Sequence, residues 1–184
     1  GAGHPKLDIN YTFEEDQKRV RMIVKQTQTG QIFRLPVAVD IYRGSAKTRN
    51  QIWVDKAVDT FYFASTVKPD LINFDGDKIL LCEKKENKNL EQYIHQYNFA
   101  GNYMDRREAI EFCGRKMDDP KAVALIKKAL KDPYYVLRNL ALGKVDIKKE
   151  SLKTEFESSI ADLAKNDPKS TVRGRAIGML GNYK

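Results

Sequence analysis

Two stretches of the chain, DPYYVLR from Asp132 to Arg138 and DPKSTVR from Asp167 to Arg173, repeat one pattern of charged residues. In both, the arginine follows the aspartate by six residues, and the two aspartates are 35 residues apart. Asp-Pro is typical of a helix start, where the carboxylate accepts hydrogen bonds from free N–H groups. The planar guanidinium can reach a carboxylate or carbonyls of a neighbouring unit. We therefore predict that these four residues are structural ties between repeated units and that they are not catalytic.

The other residues that could carry catalysis or bind a metal lack the partners that such chemistry needs. His95 has Glu91 one helical turn before it, but the chain has no His-Glu-x-x-His pattern, with which zinc peptidases bind metal and activate water. Cys82 and Cys113 lie 31 residues apart, so we expect buried free thiols. No glycine-rich phosphate loop is present. We predict no catalytic residue, no metal ligand and no cofactor in this chain.

The distribution of charge raises the question of a polyanionic partner. The net charge is +8, of which residues 1–101 carry +2 and residues 102–184 carry +6. Because the basic residues alternate with acids and no basic–aromatic stacking motif occurs, we do not expect nucleic acid to be the partner. The run of Lys84, Lys85 and Lys88 predicts a solvated linker. No apolar run reaches the length of about 18 residues that a membrane span needs, so we expect no membrane segment.

Alternating apolar residues predict β-strands in the first half of the chain. Val20, Met22 and Val24 share one face of a strand over 18–28, and a second alternating segment covers 32–42. Asp75-Gly76 lies between two further apolar runs, and this pair predicts a tight hairpin. Shorter strands are expected over 51–55, 60–64, 70–74 and 78–83. Residues 1–87 are therefore expected to form a small antiparallel β-sandwich domain.

From Asn89 onward the apolar residues follow the period of a helix. Leu90, Ile94 and Tyr97 share one helical face, which ends at Gly101-Asn102. Five more helices are expected, over 104–113, 122–130, 136–142, 152–165 and 172–180. The second half, residues 88–184, is therefore expected to be an α-helical domain, and the whole chain a multidomain protein with β before α.

The helical half contains an internal repeat. The shift of 35 residues that aligns the two aspartates also aligns Leu142 with Ile177 and the helices that precede them. A weaker copy, shifted by 32 residues, aligns Arg106 with Arg138 but lacks its Asp-Pro. A helix pair that recurs with this period predicts an α–α superhelix of HEAT-like repeats.

The order of several short motifs resembles one family of enzymes. The motifs are GHPKLDI from Gly3, VKQTQ from Val24, LPVAVD from Leu35 and KPDLINFD from Lys68, followed by the Asp-Pro…Val-Arg-x-x-Ala pattern of the helical half. This order resembles the region downstream of the catalytic domain in zinc aminopeptidases of the aminopeptidase N family. The resemblance implies a β-sandwich that follows a thermolysin-like domain and leads into a helical domain, often of HEAT-like repeats.

The same resemblance implies that the chain is the non-catalytic C-terminal part of a larger zinc metallopeptidase. Its partner would be that protein's own catalytic domain, where zinc is expected, and it would help to shape the chamber for a peptide substrate. The family's Gly-x-Met-Glu-Asn strand is absent, so no substrate-binding residue carries over. Two alternatives stay open: a nucleic-acid-binding HEAT-like module and a protein-interaction scaffold without an active peptidase domain.

Overall fold

The computed structural model describes residues 3–181, which form seven strands followed by six helices. The strands are β1 (Lys6–Glu14), β2 (Arg19–Gln26), β3 (Leu35–Arg43), β4 (Ala46–Val54), β5 (Val58–Ala64), β6 (Leu71–Phe74) and β7 (Glu83–Glu86). The helices are α1 (Leu90–Phe99), α2 (Tyr103–Cys113), α3 (Pro120–Ala129), α4 (Tyr135–Leu142), α5 (Glu150–Asn166) and α6 (Ser170–Gly181). This order confirms that the chain is β first and then α.

The chain divides into two compact units, and the division falls between Asn102 and Tyr103. Helix α1 contacts β6 and belongs to the first unit, which we call the β unit. The second, helical unit contains α2 to α6. The domain boundary after residue 87 stays a prediction from the sequence.

The β unit contains two small sheets. The first has the strand order β5-β2-β1-β7 and the second the order β4-β3-β6. Neighbouring strands are antiparallel except for β1 and β7, which are parallel. The expectation of a purely antiparallel sandwich is therefore wrong at this one pair, because the chain crosses between the sheets before β7.

One apolar core lies between the two sheets. The side chains of Val20, Met22 and Val24 are fully buried, on one face of β2 as the alternation predicts, and they belong to the same cluster as Val39 and Phe74 of the other sheet. Strands of period two place every second residue on the same face, so both sheets contribute to a single core. Burial of this apolar surface is the main stabilising contribution to the unit.

The predicted Asp75-Gly76 hairpin is wrong. Strand β6 lies in the second sheet and β7 in the first, and the segment between Lys78 and Cys82 is not a strand. The carboxylate of Asp75 accepts hydrogen bonds from the backbone N–H groups of Ile79 at 3.2 Å and Leu80 at 3.0 Å. These bonds fix a turn that redirects the chain towards the other sheet, where a two-residue hairpin would have returned it alongside β6.

All six helices predicted from the period of apolar residues are present, with ends within a few residues of the predicted ones. Asp119 caps α3 by accepting a hydrogen bond from the backbone of Lys121, and Pro120 occupies the first helical position. Asp132 plays a different part from the predicted cap. Helix α4 begins only at Tyr135, and the Asp132 carboxylate accepts from the Tyr134 N–H in the preceding turn.

Within the helical unit, each helix contacts helices that are one or two places away from it in the sequence. Helix α4 contacts both α2 and α6, α3 contacts α2 and α4, and α5 packs against α6. The fully buried side chains come from several helices and include Ile126, Leu137, Phe156 and Ile160. None of the helices within residues 3–181 combines the length and apolarity required to cross a bilayer.

Candidate functional site

Arg138 and Asp167 form a buried, two-point ion pair. The Arg138 Nε donates to Asp167 Oδ2 at 2.6 Å, and its Nη2 donates to Oδ1 at 2.8 Å. The third nitrogen, Nη1, donates to the backbone carbonyl of Asp132 at 2.8 Å. The guanidinium therefore bonds its own helix turn with one nitrogen and the next helix pair with the other two. We call this arrangement the Asp–Arg joint.

A second Asp–Arg joint connects Arg106 of α2 with Asp132. The Arg106 Nε donates to Asp132 Oδ2 at 2.8 Å, and Nη2 lies 3.4 Å from Oδ1. In each joint the aspartate also accepts a hydrogen bond, at 2.8 Å, from the backbone N–H two residues further on, in Tyr134 or Lys169. The internal repeat aligns Arg106 with Arg138, but the missing Asp-Pro in its copy gives the sequence no signal that Arg106 forms such a contact.

Arg173 makes only half of this joint. Its Nη1 donates to the backbone carbonyl of Asp167 at 2.7 Å, which matches the bond from Arg138 to the carbonyl of Asp132. No carboxylate among the described residues lies within ion-pair distance of its guanidinium. The structure therefore connects Asp132, Arg138, Asp167 and Arg173 through a series of contacts, and their function as ties between repeats stays a prediction.

The electrostatics of the Arg138–Asp167 joint follow from its geometry. Hydrogen bonds from Arg138 hold the pKa of the Asp167 carboxyl below its usual value, although burial opposes this shift. Hydrogen bonding to Asp167 raises the pKa of Arg138 in turn. The pair is therefore fully ionised at neutral pH, and it acts as a fixed electrostatic contact with no proton to transfer.

The β unit contains a buried charge network that the sequence did not suggest. The ammonium group of Lys88 lies 3.0 Å from Glu86 Oε2 and donates to Gln96 Oε1 of α1 at 2.7 Å. Lys84 donates to the other carboxylate oxygen at 2.9 Å, and the Tyr11 hydroxyl donates to Oε2 at 2.6 Å. The Lys88 side chain is fully buried, so the predicted solvated linker is wrong at this residue.

Glu86 stays ionised in this network despite its burial. Burial by itself would raise its pKa, but the charges of Lys88 and Lys84 and the hydrogen bonds of Tyr11 and Lys84 outweigh burial and lower the pKa to about 2. Because Lys88 bonds to α1 and Tyr11 belongs to β1, the carboxylate joins the first sheet to the helix that follows it. The network therefore stabilises the β unit and presents no free acid or base.

A second buried carboxylate, Asp40, lies in the other sheet. Arg49 donates to both of its oxygens, at 2.7 and 2.8 Å, and Lys47 donates to Oδ2 at 3.0 Å. The second terminal nitrogen of Arg49 lies 2.7 Å from Asp77. A Cβ atom at Gly76 would lie 2.5 Å from Asp40 Oδ2, so glycine is needed for this close approach. The Asp75-Gly76-Asp77 stretch thus serves a structural turn.

The two histidines are far from a metal-binding arrangement. His4 bonds to the exposed Glu83 at 2.5 Å, and His95 stacks on Phe99 with its ring edge-on to Tyr42. Within residues 3–181, no three His, Cys, Asp or Glu residues are grouped so that they could hold a metal ion. The two cysteines form no disulfide with each other; Cys113 is buried as expected, whereas Cys82 is only half-buried. Burial raises the pKa of Cys113 to about 12, which disfavours its reactive thiolate form.

A groove of about 700 Å³ runs between α3 and α5 of the helical unit. Its lining combines apolar side chains with three lysines, Lys127, Lys128 and Lys131. Lys127 is paired with Glu155 on the facing helix at 2.7 Å. The lining also contains two acids, Asp118 and Glu155, so three lysines face two carboxylates and the groove has a small net positive charge.

Comparisons with known proteins give a match in structure only. No protein-family model matches the sequence, and no curated protein sequence matches it significantly. Among solved structures, an aminopeptidase A of Legionella pneumophila, determined in complex with aspartic acid, is similar with a TM-score of 0.64 and 16% identity. The similarity covers 97% of this chain and 27% of the Legionella chain. It shows that the fold of this chain occurs as a minor part of a longer aminopeptidase chain.

Proposed function

We propose that this chain is a non-catalytic region of a zinc aminopeptidase-like protein, in which it packs on the catalytic domain and helps to shape the substrate chamber. The observation that carries the proposal is the likeness of almost the whole chain to a part of the Legionella aminopeptidase A. The order of motifs over residues 3–75 independently resembles the aminopeptidase N family. Zinc belongs to the catalytic domain in this proposal, and the residues of this chain have no part in binding it.

The helical unit is, in this proposal, a short array of HEAT-like repeats. Two joints in which Nε meets Oδ2 and Nη2 meets Oδ1, Arg106 with Asp132 and Arg138 with Asp167, support the repeat. A repeat of this kind stacks its units by nearest-neighbour contacts and offers an extended surface to a partner or substrate.

An exposed apolar segment supports the packing on another domain. Ile79 and Leu81, between β6 and β7, are 69% and 91% exposed. They lie close in sequence to Glu83, whose backbone N–H donates to the carbonyl of Pro5 at the start of β1. A domain joined before β1 would therefore lie within reach of this segment, and its contact would remove two large apolar side chains from water.

The zinc content and activity of the isolated chain test the proposal directly. Metal analysis of the purified chain by mass spectrometry should find no stoichiometric zinc, and aminoacyl reporter substrates should not be cleaved. Substoichiometric zinc that dialysis against a chelator removes would agree with the proposal. One tightly held zinc per chain, or zinc-dependent cleavage, would show that the chain carries its own active centre and would refute it.

The packing surface is tested in the complete parent protein. Leu81→Asp should lower the melting temperature of the catalytic domain, because it places a charge in the contact between domains. Val67→Asp is a matched control, since Val67 is also an exposed apolar residue of the β unit. Equal effects of the two substitutions would exclude a specific contact at Leu81.

The groove between α3 and α5 supports a second candidate function, an interaction module that binds an acidic partner. Replacement of Lys128 and Lys131 by glutamine should then weaken binding of an acidic peptide or of single-stranded nucleic acid in fluorescence anisotropy at low salt. Contacts with a nucleic-acid backbone would make the affinity fall steeply as salt rises. Absence of binding to either ligand at low salt would eliminate this candidate.

A further inference from the structure

The last helix of the described chain exposes a position that the preceding repeat buries. Leu142 at the end of α4 is fully buried, and Ile110, its counterpart in α2, is fully buried too. Ile177 of α6 aligns with Leu142 at the 35-residue shift, yet it is 57% exposed. In α4 this position lies on a helix that contacts α6, whereas in α6 residues 3–181 leave more than half of the residue uncovered.

The arginines at equivalent positions also differ in how many contacts they make. Arg106 and Arg138 each bond the aspartate of the next helix pair through Nε and Nη2. Arg173 makes the equivalent bond through Nη1, to the backbone carbonyl of Asp167 six residues before it. Within the described part of the chain, its remaining nitrogens meet no carboxylate. A planar guanidinium held in this way is suited to a two-point bond with one more carboxylate.

Two glycines give a third, steric observation. Gly143 and Gly178 are equivalent at the 35-residue shift. A Cβ atom at Gly143 would lie 2.5 Å from Nη2 of Arg175, a residue of the next helix pair. At Gly178, and at Gly174 one turn before it, a Cβ atom would have nothing within 4 Å. The surface of α6 is therefore smooth and uncovered where α4 is closely approached by its neighbour.

We propose that this face of α6, formed by Arg173, Gly174, Ile177 and Gly178, is a docking surface for a further helix pair whose interhelical turn carries an aspartate. The aspartate would accept two hydrogen bonds from Arg173, as Asp167 does from Arg138, and the helices would cover Ile177. Two observations favour this occupant. It would continue the arrangement of the Arg106–Asp132 and Arg138–Asp167 joints, and its carboxylate would match the positive charge of Arg173. This inference does not depend on the proposed peptidase function.

A second copy of this chain is a poorer occupant. The aspartates that lie in its turns between paired helices, Asp132 and Asp167, are already bound by Arg106 and Arg138. A second copy would have to open one of these buried ion pairs before its aspartate could reach Arg173. The partner must therefore bring a carboxylate that is not already engaged.

The test extends the complete chain by one repeat. A second copy of residues 150–184 is fused after Lys184, which places the copied aspartate 35 residues beyond Asp167 and so preserves the spacing between Asp132 and Asp167. Hydrogen exchange is then measured at the amides of Ile177 and Gly178, with and without the extension. The extension should slow this exchange by at least about tenfold, because an added helix pair suppresses local opening of α6.

Variants of the extended protein test the charged contact. Arg173→Gln should reverse the added protection by about tenfold, a change to asparagine at the copied aspartate should do the same, and the double variant should lose no more than either single one. Lys165→Gln removes an exposed cation from α5 and serves as the charge control, which should leave the protection unchanged.

Three results would overturn the proposal. The first is an appended pair that stays unfolded or leaves exchange in α6 unchanged. The second is protection that is independent of Arg173 and of the copied aspartate. The third is self-association of the original chain in sedimentation that Ile177→Lys abolishes, which would show that a second copy is the occupant.

Discussion

The β unit and the helical unit bury charged residues in different ways. In the β unit each network occurs once and is built from different residue types, as around Glu86 and around Asp40. In the helical unit one Asp–Arg joint occurs twice with the same atoms in contact, and a half of it occurs a third time at Arg173. Each network of the β unit therefore fixes one particular contact, whereas the joint uses the same pairs of atoms at two places in the helical unit.

Removal of Lys88 should have the largest effect. Lys88→Met leaves the buried Glu86 and the buried Gln96 without their common partner, so we expect a loss of about 3–5 kcal/mol in the free energy of unfolding. The single tryptophan, Trp53, lies in the β unit, and its fluorescence during urea unfolding reports this loss. Lys85→Met is the matched control, because Lys85 is exposed, and it should change the stability by less than about 0.5 kcal/mol. Equal losses in both variants would contradict the buried network.

Acid should weaken the same network. The pKa of Glu86 in the folded protein is about 2, below the 4.5 of a free glutamate. A depressed pKa contributes stability above the unfolded-state value, and this contribution disappears as the pH falls from about 5 towards about 2. We expect a contribution of about 3 kcal/mol from Glu86. Glu86→Gln removes the titrating group, so the stability difference between wild type and variant should shrink over this pH range in urea titrations. A constant difference would exclude ionised Glu86 as its source.

The same substitution can compare Arg138, which is paired with a carboxylate, with Arg173, which bonds only a backbone carbonyl. Arg138→Met leaves the carboxylate of Asp167 buried without its guanidinium and should cost about 3 kcal/mol, whereas Arg173→Met loses one hydrogen bond to a carbonyl and should cost about 1 kcal/mol. Unfolding of the helices is followed by far-ultraviolet circular dichroism. Similar losses at the two positions would mean that Arg173 has a carboxylate partner already, and the contrast between the joints would not hold.

The smallest effect concerns the two equivalent glycines. Gly178→Ala adds a methyl group into open space within α6, so it should stabilise the helix by about 0.5–1 kcal/mol. Gly143→Ala should gain less, because Arg175 must move to make room for the methyl group. The difference in melting temperature between the two variants measures the cost of moving Arg175. A greater gain at Gly143 would contradict the close approach of Arg175.

The sequence predicted those elements whose residues follow a period. The alternation of Val20, Met22 and Val24 identified a strand with one buried face, and the helical period located all six helices. The repeat at 35 residues also identifies Asp132, Arg138, Asp167 and Arg173 as equivalent positions. These predictions succeed because local backbone geometry alone decides which side chains share a face.

The failed predictions concern contacts between residues that are distant in sequence. Asp-Gly at 75–76 favours a hairpin locally, but Gly76 packs against Asp40 and the chain continues to the other sheet. Lys84, Lys85 and Lys88 look alike as a run of charges, yet only Lys88 is buried, beside Gln96 of α1. No local pattern distinguishes these lysines, because their burial depends on where the following helix packs.

By itself, then, the sequence determined the order of β before α, the faces of the strands and helices and the residues that recur in the helical repeat. Only the tertiary structure decided that Arg138 binds the carboxylate of Asp167 and that Arg173 bonds a backbone carbonyl, since several carboxylates lie near each arginine in the sequence. It also showed that the guanidinium of Arg138 is paired with a carboxylate, whereas that of Arg173 meets none within residues 3–181. The physical reason is that an ion pair forms when folding brings two charges within about 3–4 Å of each other, and spacing along the chain does not fix this distance.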